Sequence, residues 1–509
     1  MAYLIGVDIG TSGTKTVLFD ERGNTVASSL KEYPLYQPQN GWAEQDPKDW
    51  WDATCATIRE VLAISHVNAS EIKGVGLSGQ MHGAVLLDKN NQILRKAIIW
   101  CDQRTTAECD QITSLIGAKR LIEITANPAL TGFTASKILW VRNNEPKIFE
   151  QVKKILLPKD YIRLMLTGEF ATEVSDASGM QLMDIPKRQW SEEVLGKLDI
   201  DKSFLGKMHE SQEVTGLVNR EAASLTGLNL GTPVVGGAGD QAAGAVGNGI
   251  VRNGVISSTI GTSGVVFAHS DKVTIDPMGR VHTFCHAVPN TWHIMGVTQG
   301  AGLSLKWFRD NFCQDEIREA AQANIEPYVL LNKLASASKP GSDGLIYLPY
   351  LMGERTPHLD ADARGVFFGL SARHEKKDLI RAIMEGVVFS LKDCLEIIDG
   401  MGVDVSEVRA SGGGGKSALW RQMQSDVFGK EITTINSSEG PALGVALLAG
   451  VGTGVYGSVS QACDATINVV TRQKPDDTLN LDYSKYYKIY KNLYQSLKQD
   501  FKDLARISN

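Results

Sequence analysis

A short sequence repeat is the feature that most constrains how this chain can fold. The tetrapeptide Gly-Thr-Ser-Gly occupies positions 10–13 and returns at positions 261–264. Each copy joins two strand-like runs, YLIGVDI and TKTVLFD in the first case and GVISSTI and VVFAHS in the second. A strand–turn–strand unit that recurs in both halves of a chain predicts two related domains that face each other.

Length and element order support this division. A chain of 509 residues is too long for a single ordinary core, so two large domains are expected. Asp46 and Pro47 offer the cap and the first position of a helix that runs through DWWDATCATIREVLA, with strand-like runs on both sides. Strands and helices mixed in this order are typical of an α/β domain.

Composition and charge exclude some partners. The net charge of −6 gives no general attraction to a polyanion, so we expect no nucleic acid to bind. Seven cysteines without a C-x-x-C pair indicate reduced thiols and a cytoplasmic protein. The opening MAYLIGVDIG lacks the basic region of a signal peptide. We expect it to form a first strand.

Two apolar segments have alternative interpretations. Residues 440–463 carry no charge, but Pro441 and several glycines favour a buried helix and turn over a membrane span. Apolar residues between Tyr483 and Leu504 recur at three- and four-residue steps, which predicts an amphipathic helix. Docking of this helix on the protein's own core is favoured, and binding to a partner or a membrane surface is the alternative.

The segment from Asp8 to Lys15 combines the properties of a phosphate-binding turn. Its glycines let backbone N–H groups approach phosphate oxygens, and Lys15 adds positive charge. Asp8 can hold Mg²⁺ directly or through water. A plain hairpin turn is the alternative, and the second copy of the turn favours phosphate. The candidate phosphate ligands are Gly10, Thr11, Ser12, Thr14 and Lys15, joined by Gly261, Thr262 and Ser263.

Two other glycine-rich segments imitate known nucleotide motifs. Residues 411–417, SGGGGKS, resemble a P-loop, but that motif requires glycine where Ala410 stands. A flexible turn that faces a nucleotide remains a valid interpretation of this segment. Residues 237–242 resemble a dinucleotide fingerprint, yet no acidic residue occurs between Asp240 and Asp271 to bind a ribose. The sequence therefore disfavours a dehydrogenase.

Asp240 is the candidate catalytic base. It follows a strand that ends in glycines and precedes a small-residue helix, AAGAVG, so its carboxylate lies at a helix N-terminus. For such an acid taken alone, a simple helix cap is the favoured explanation. The glycines leave room for a ligand, and phosphoryl transfer to an alcohol requires a carboxylate that accepts the hydroxyl proton.

Histidines raise two further hypotheses. The run HTFCHA places His282, Cys285 and His286 together, but their spacing fits no zinc pattern and offers no fourth ligand. A metal site there is disfavoured. His82 lies in Gly79-Gln-Met-His-Gly83 between two strand-like runs, where glycines on both sides make a turn that faces a ligand plausible.

Taken together, these segments resemble the FGGY carbohydrate kinases of the actin and hexokinase superfamily. DIGTSGTK and TIGTSG are similar to the two phosphate segments of the family, and SGGGGKS to its adenosine segment. GFTASKILWVRNN and GVFFGLSARHEKKDLIRAIMEG resemble its two long signatures. The stretches GWAEQDPKDWW, GLSGQMHGAVLLD, IIWCDQRT, GGAGDQAAGAVG and LMGERTPHLDADARG are similar to those of the members that phosphorylate xylulose.

The resemblance implies a fold and a chemistry. It implies two ribonuclease-H-like α/β domains that flank a deep cleft, at residues 1–248 and 249–509, with helix 483–506 packing back across them. It implies phosphorylation of D-xylulose by ATP and Mg²⁺, with Asp8 on the metal side and Asp240 as base. Sugar contacts are implied for Met81, His82, Asp240 and Gln241, and nucleotide contacts for both phosphate turns with Gly412, Gly413, Gly414, Gly415 and Lys416.

Substrate and assembly stay open at this stage. Trp100, Asp102 and Arg104 correspond to a segment near the sugar. Glycerol kinases usually carry Arg-Glu where this chain has Met81-His82, which disfavours a triol. Gln241 replaces an asparagine of some relatives, so ribulose, another ketose or a polyol remains an alternative. A nucleotide-gated interaction protein of the actin or heat-shock type is the distant alternative. We expect no membrane partner, and a homodimer is compatible with the sequence.

Overall fold

The computed structural model describes residues 2–508, and within them two seven-stranded sheets carry the fold. The strands of the first sheet are, in spatial order, Val214–Leu217, Pro233–Val235, Ile72–Gly79, Tyr3–Ile9, Gly13–Asp20 and Thr25–Glu32, with Ala238–Gly239 paired to Ile72–Gly79. Those of the second sheet are His282–Cys285, Trp292–Thr298, Gly264–Ser270, Gly254–Ile260, Val405–Ser411, Glu431–Ile435 and Val469–Gln473.

The two sheets repeat one topology. In each, the first strand of the Gly-Thr-Ser-Gly hairpin pairs antiparallel with the second. The same first strand also pairs in parallel with a later strand, Ile72–Gly79 in the first sheet and Val405–Ser411 in the second. This order of a hairpin joined to parallel strands is that of a ribonuclease-H-like domain. The predicted α/β class and the relation between the two domains are confirmed.

Helices cover the faces of both sheets. The helices of the N-terminal half are Pro47–Ser65, Thr106–Ile116, Ala118–Thr125, Thr134–Asn144, Pro146–Phe149, Pro158–Thr167, Val174–Ala177, Glu192–Leu198, Arg220–Thr226 and Asp240–Gly247. Those of the C-terminal half are Gly302–Phe312, Gln314–Ala323, Pro327–Ser336, Lys376–Gly400, Gly412–Gly415, Ala418–Phe428, Gly440–Gly452, Val459–Thr466 and Asp477–Ser508. Helix Pro47–Ser65 begins where it was predicted to begin, because the Asp46 side chain accepts a hydrogen bond from Lys48 N–H at 3.0 Å.

Short strand pairs and 3₁₀ turns complete the chain. The pairs are Glu44–Gln45 with Ala97–Ile98, Val85–Leu87 with Lys154–Leu156, Ala171–Glu173 with Lys207–His209, Met183–Asp184 with Gln189–Trp190, and Ile346–Leu348 with Val366–Phe368. The 3₁₀ turns are Ala69–Glu71, Ser178–Met180, Lys202–Phe204 and Ser342–Gly344. Most of these pieces lie between the first-sheet strands Ile72–Gly79 and Pro233–Val235 along the chain, and they enlarge the N-terminal half.

The helix Gly440–Gly452, here the crossing helix, leaves its own half and covers the first sheet. Added Cβ atoms on Gly6 and Gly76 would lie 1.9 Å from the carbonyl oxygens of Ala442 and Val445. Only strands with glycine at these points let the helix backbone approach so closely. The crossing helix is buried, as predicted, and no helix among residues 2–508 is both long and apolar enough to cross a membrane.

The crossing helix also packs against the helix Asp240–Gly247, here the base helix. A Cβ on Gly444 would lie 1.9 Å from Ala243 O, and a Cβ on Gly247 would lie 1.9 Å from Gly440 O. Glycine on each helix therefore allows backbone contact between the two halves of the chain. The predicted boundary at residue 248 falls at the end of the base helix and stays a prediction.

The C-terminal helix Asp477–Ser508 is amphipathic, as predicted. Its tyrosines reach the core of the C-terminal half, where Tyr483, Tyr487 and Tyr494 donate hydrogen bonds to Glu385, Asp393 and Asp360 at 2.7, 2.6 and 2.8 Å. The contacts described for this helix lie within that half. The structure therefore shows docking on the protein's own core, and the expected crossing over both domains is not among these contacts.

Candidate active site

The first phosphate turn closes as a tight hairpin at the end of strand Tyr3–Ile9. Gly10 N–H donates to Gly13 O at 3.0 Å. A Cβ on Gly13 would lie 2.7 Å from Lys31 O, so glycine is required there. Ser12 is exposed at the tip, whereas Thr14 is fully buried and its side chain points into the interior. Of the predicted ligands in this turn, Gly10, Thr11 and Ser12 form its accessible rim.

Lys15 is held by a charge from the other half of the chain. Its ammonium lies 2.5 Å from a carboxylate oxygen of Glu439, the residue that precedes the crossing helix. Lys15 remains partly exposed, at 38%, so the cation is accessible beside the turn. This ion pair ties the first phosphate turn to the start of the crossing helix. Such half-exposed pairs add little stability, so a polyanion can compete for the lysine.

A chain of hydrogen bonds fixes Thr11 beside the segment that contains His82. The Trp100 indole N–H donates to Thr11 Oγ1 at 2.9 Å, and Thr11 Oγ1 donates to Gln80 Oε1 at 3.3 Å. Gln45 closes the network, since its amide donates to Thr11 O and accepts from Gln80, both at 2.7 Å. Sequence reasoning did not find Gln45 or Gln80, because neither belongs to a pattern that names its partner.

Trp100 and its two predicted neighbours have different environments. The Trp100 side chain is 43% exposed and borders the first turn. Asp102 and Arg104 are buried against each other, with the guanidinium 2.7 Å from Asp102 Oδ2 and 3.6 Å from the centre of the Trp42 ring. Asp102 also accepts from Ala43 N–H at 2.6 Å. Asp102 and Arg104 therefore support the loop from within, and Trp100 alone of the three faces the site.

The second phosphate turn lies against the start of another helix. Gly302 N–H donates to Gly261 O at 2.8 Å, and Leu303 N–H donates to Thr262 O at 3.1 Å. A Cβ on Gly302 would lie 2.4 Å from Gly261 O, so only glycine lets helix Gly302–Phe312 begin this close. Gly261 and Thr262 are exposed, and Ser263 is half-buried. The first N–H groups of this helix are thus used by the turn, and the exposed backbone of Gly261 and Thr262 is the part that a phosphate can reach.

The glycine-rich segment lies at the same edge of the second sheet as this turn. Strand Val405–Ser411 runs parallel to Gly254–Ile260, so both loops that follow them meet there. Gly412 has φ +71° and approaches Ile260 O, where a Cβ would lie at 2.6 Å. Residues Gly412–Gly415 form one helical turn. They carry no extended loop of the Walker type, in agreement with the sequence interpretation.

A cavity of about 590 Å³ separates the second turn from the glycine-rich segment. Gly261 and Thr262 border it on one side, and Gly413, Gly414 and Lys416 on the other. Its remaining walls are Ile260, Gly302, Leu303, Leu305, Lys306, Glu326, Tyr328, Val329, Asn332, Ser417 and Trp420. A largely apolar wall with a few polar groups suits a flat heterocycle. These wall residues lie far apart in sequence, and no sequence motif predicts that they line one cavity.

Asp240 is the first residue of the base helix. The cap position is Gly239, which has no side chain to make a cap hydrogen bond. Asp240 therefore does not cap its own helix. Gly239 lies in register with Gly79, and strand Ile72–Gly79 also carries Ser78, whose hydroxyl donates to Asp8 Oδ1 at 2.8 Å. Adjacent strands therefore bring Asp8 and Asp240 to the same edge of the first sheet.

Burial and a like charge set the protonation of Asp240. Burial, and after it the charge of Asp8, raise the pKa of Asp240 to about 7, although hydrogen bonds with Gln241 oppose the shift. Asp8 is likewise buried, which raises its pKa, while Ser78 and Lys15 oppose the shift. A carboxylate with a pKa near neutrality is suited to exchange a proton at working pH. Two carboxylates that repel each other also favour a cation between them.

Met81 packs against the residue that precedes Asp240, and His82 is its neighbour in the chain. Met81 is buried against Gly239, where an added Cβ would lie 2.8 Å from Met81 Cγ. His82 adopts a left-handed backbone, with φ +69°, and its Nδ1 lies 2.9 Å from Gly179 O. Since a carbonyl only accepts, Nδ1 carries the proton and Nε2 presents a lone pair. Burial and the charge of Lys137 lower the pKa of His82 to about 3, so this acceptor persists.

Residues 173–180 support both sides of this arrangement, although no sequence motif pointed to them. Ser175 Oγ accepts from Gly239 N–H at 3.2 Å, and Gly179 O accepts from His82 as described. Beneath them, Lys159 lies 2.8 Å from Asp160, 3.3 Å from Glu173 and 3.5 Å from Asp176, all fully buried. This charge cluster anchors the backbone that positions the base.

The second cavity joins the predicted groups. It has a volume of about 810 Å³ and is bordered by Asp240 and Gln241 at one end and by the glycine-rich residues 412, 413 and 415 with Lys416 at the other. The histidines of HTFCHA do not border it. His282 instead lies 2.7 Å from Asn127 Oδ1, and His286 lies 2.9 Å from Ile250 O.

Comparison with known proteins places this site in a family. Two family models, for the N-terminal and C-terminal domains of the FGGY family of carbohydrate kinases, match residues 3–247 and 256–453. The xylulose kinase of Bacillus subtilis (strain 168) is 39% identical over 498 residues, which cover 98% of this chain and 98% of that protein. The gluconokinase of the same strain is 34% identical over 506 residues, covering 99% and 98%.

A solved structure shows the same arrangement of both domains. The ligand-bound xylulose kinase from Lactobacillus acidophilus is similar with a TM-score of 0.91 and 28% identity, covering 99% of this chain and 100% of that one. The likeness extends over both sheets and therefore over both phosphate turns. From matches that span both domains, we conclude that the chain belongs to the FGGY family of carbohydrate kinases.

Proposed function

We propose that this chain transfers the γ-phosphoryl group of ATP to the terminal hydroxyl of D-xylulose, which yields D-xylulose 5-phosphate and ADP. The observation that carries the proposal is Asp240, a buried carboxylate with a pKa of about 7 at the start of the base helix, where Met81 packs against the preceding Gly239. Full-length relatives that are xylulose kinases support the choice of sugar. Membership of a kinase family supports ATP as the donor.

In this proposal Asp240 accepts the proton of the sugar hydroxyl while its oxygen attacks the γ-phosphorus in line. His82 Nε2 accepts a hydrogen bond from a second sugar hydroxyl, because its tautomer is fixed by Gly179. Gln241 follows the base in the same helical turn and offers an amide to the sugar. Met81 supplies an apolar wall beside the reacting carbon.

The nucleotide is proposed to span the cleft from the second sheet. The 590 Å³ cavity would receive adenosine between the second turn and Gly413–Gly414. The N–H groups of both Gly-Thr-Ser-Gly turns, with Lys15 and Lys416, would bind the phosphates. Closure of the two halves around the sugar would exclude water and limit ATP hydrolysis.

The two carboxylates at the edge of the first sheet fit Mg²⁺. Oxygen ligands are the ones that this cation prefers, and Asp8 and Asp240 carry like charges that it would offset. Within residues 2–508 no group of three or more His, Cys, Asp or Glu is placed to hold a metal. Asp8 would hold Mg²⁺ with few other protein ligands, as is usual for an ion bound chiefly by phosphates and water. Bound Mg²⁺ would offset the charge that develops on the phosphates.

A sugar panel tests the proposal. ADP release is measured with ATP and Mg²⁺ supplied. We expect kcat/KM to be higher for D-xylulose than for D-ribulose, glycerol or D-gluconate. D-gluconate is included because a gluconokinase is among the relatives. If D-xylulose were no better than the other sugars, the proposed substrate would be wrong within the family. ATP turnover that ignores all sugars and responds to a protein partner would favour the interaction-protein alternative.

The pH dependence of the reaction should follow Asp240. Its raised pKa means that the carboxylate becomes protonated as the pH falls through about 7, and a protonated carboxyl cannot accept the hydroxyl proton. We expect kcat/KM for the sugar to fall with decreasing pH below about 7 and to be level above it. Binding of ADP, measured by titration calorimetry over the same range, is the control. A profile that stays level down to pH 5 would contradict this assignment.

Assembly and location complete the proposal. We propose a cytoplasmic enzyme, in line with seven free cysteines of which six are buried. A homodimer is the assembly to be tested against a monomer by light scattering.

A further inference from the structure

Arg355 lies on a segment of the C-terminal half whose backbone is held by several hydrogen bonds. Its backbone N–H donates to Glu354 Oε1 at 2.7 Å. The Glu354 carboxylate is itself fixed by Thr298 Oγ1 at 2.7 Å and by Gln299 N–H at 2.9 Å. The next residue, Thr356, donates its N–H to Val297 O at 2.9 Å. The backbone that carries Arg355 is therefore well defined.

The side chain of Arg355 has no partner among residues 2–508. Its guanidinium makes no hydrogen bond there, and no carboxylate oxygen lies within the 4.0 Å of an ion pair. The side chain is half-buried, and burial lowers the pKa of this guanidinium, a shift that Glu354 opposes. The buried Arg163 and Arg381, in contrast, lie 2.7 and 2.8 Å from a carboxylate. A guanidinium that is poorly hydrated and unpaired is costly unless a ligand supplies acceptors.

The backbone next to Arg355 lies against the apolar cluster that contains Met81. Burial lowers the pKa of both His82 and His282, and the positive charge of Arg355 contributes to both shifts. The adjoining Val297 belongs to the same apolar cluster as Met81 and Phe133, and the Phe133 ring lies 4.8 Å from the His82 ring. The charges that act on Asp240 come instead from Asp8. Arg355 therefore acts on His82 and not on Asp240, which indicates that it is nearer to His82 than to Asp240.

We propose that Arg355 determines specificity by binding the end of the sugar remote from the phosphorylated hydroxyl, where it donates to an oxygen that only accepts. A guanidinium offers five donors and no acceptor, so a ketone carbonyl or a carboxylate is a better partner than an alcohol. The substrate class would be 2-ketoses, and sugar acids if a carboxylate takes the place of the carbonyl. This inference rests on the proposed function, because it takes the sugar to lie with its reacting end at Asp240.

Steady-state kinetics of Arg355→Ala and Arg355→Lys test the inference, with Arg373→Ala as the matched control. Arg373 is on the same half, 67% exposed, and paired with Asp343. For Arg355→Ala we expect KM for D-xylulose to rise about 10- to 100-fold, the range for a lost hydrogen bond to a charged group, with kcat and KM for ATP little changed. Arg355→Lys should recover part of the loss, and Arg373→Ala should match the wild type.

Xylitol, which replaces the carbonyl of xylulose by an alcohol, shows what the guanidinium binds. The preference for the ketose over xylitol in kcat/KM should fall at least tenfold in Arg355→Ala. If xylitol is not turned over, its competitive inhibition constant replaces kcat/KM. An unchanged preference, an unchanged KM for the ketose, or a joint loss of kcat and thermal stability in both variants would overturn the inference. A D-gluconate activity that survives Arg355→Ala would exclude the carboxylate form.

The two proposals fail separately. If the wild type prefers another ketose to D-xylulose, the proposed substrate is wrong, and the same comparison is made with that ketose and its alcohol. If the wild type prefers D-xylulose to other ketoses, but Arg355→Ala leaves the preference for D-xylulose over xylitol unchanged, only the role of Arg355 is wrong.

Discussion

Replacement of Asp240 by asparagine is expected to lower kcat by about 10²-fold or more, the usual contribution of a general base. The amide has nearly the shape of the carboxyl group but cannot accept the hydroxyl proton. Asp240 does not cap its helix, so the substitution removes no cap hydrogen bond. It also removes the repulsion from Asp8, so we expect no loss of thermal stability. KM for ATP and for the sugar should change little.

Asp477→Asn is the matched control for this substitution. Asp477 is also the first residue of a helix, but it is exposed and far from the cleft. Both variants replace an aspartate at a helix start by asparagine, so an effect of that replacement on the helix itself would appear in both. Stopped-flow or coupled assays of ADP release, with the Tm of each variant, give the comparison. A near-normal kcat in Asp240→Asn would reduce Asp240 to a structural residue.

Substitution of Gly444 by alanine is expected to destabilise the fold strongly. The added Cβ would lie 1.9 Å from Ala243 O, in backbone that a rotamer change cannot relieve. The crossing helix and the base helix would have to separate, at a cost of about 3 kcal/mol or more, the upper range for overpacking. Because the base helix carries Asp240, we expect activity to fall along with stability.

Gly196→Ala tests whether the effect is one of contact. Gly196 also lies within a helix, Glu192–Leu198, but a Cβ there has no atom within 4 Å. Alanine should raise the free energy of unfolding slightly at that site, by up to about 1 kcal/mol, because it favours the helix. Thermal and urea unfolding of both variants measure the difference. Equal stability of Gly444→Ala and wild type would mean that the two helices are not in backbone contact.

The fold could be predicted where local patterns determine it. Each Gly-Thr-Ser-Gly hairpin is a local structure, and its recurrence indicated two related domains before any long-range contact was known. The helix that starts at Pro47 followed from its cap and its proline. The tyrosine periodicity of the last helix gave its buried face, but the surface it packs on is set by distant residues and could not be read from the pattern.

The parts of the site that sequence reasoning missed depend on contacts between distant residues. Gln45 and Gln80 become partners only when the loops that carry them meet at Thr11. Thr14 was grouped with the exposed donors of its turn, but the alternation of the strand that begins at Gly13 directs it inward. Asp240 was placed near a helix start, and the exact cap, Gly239, depends on backbone geometry.

The crossing helix also has a consequence for synthesis of the chain. The first sheet is complete in sequence once residue 239 has been made, yet Leu4 and Val17 on its face are covered by Leu443 and Ala446 of a helix that emerges some two hundred residues later. Until then the nascent N-terminal half presents an uncovered apolar surface on the ribosome. A ribosome-bound chain that ends before residue 440 should therefore be sensitive to protease and bind chaperones, and folding of the first domain must wait for the second.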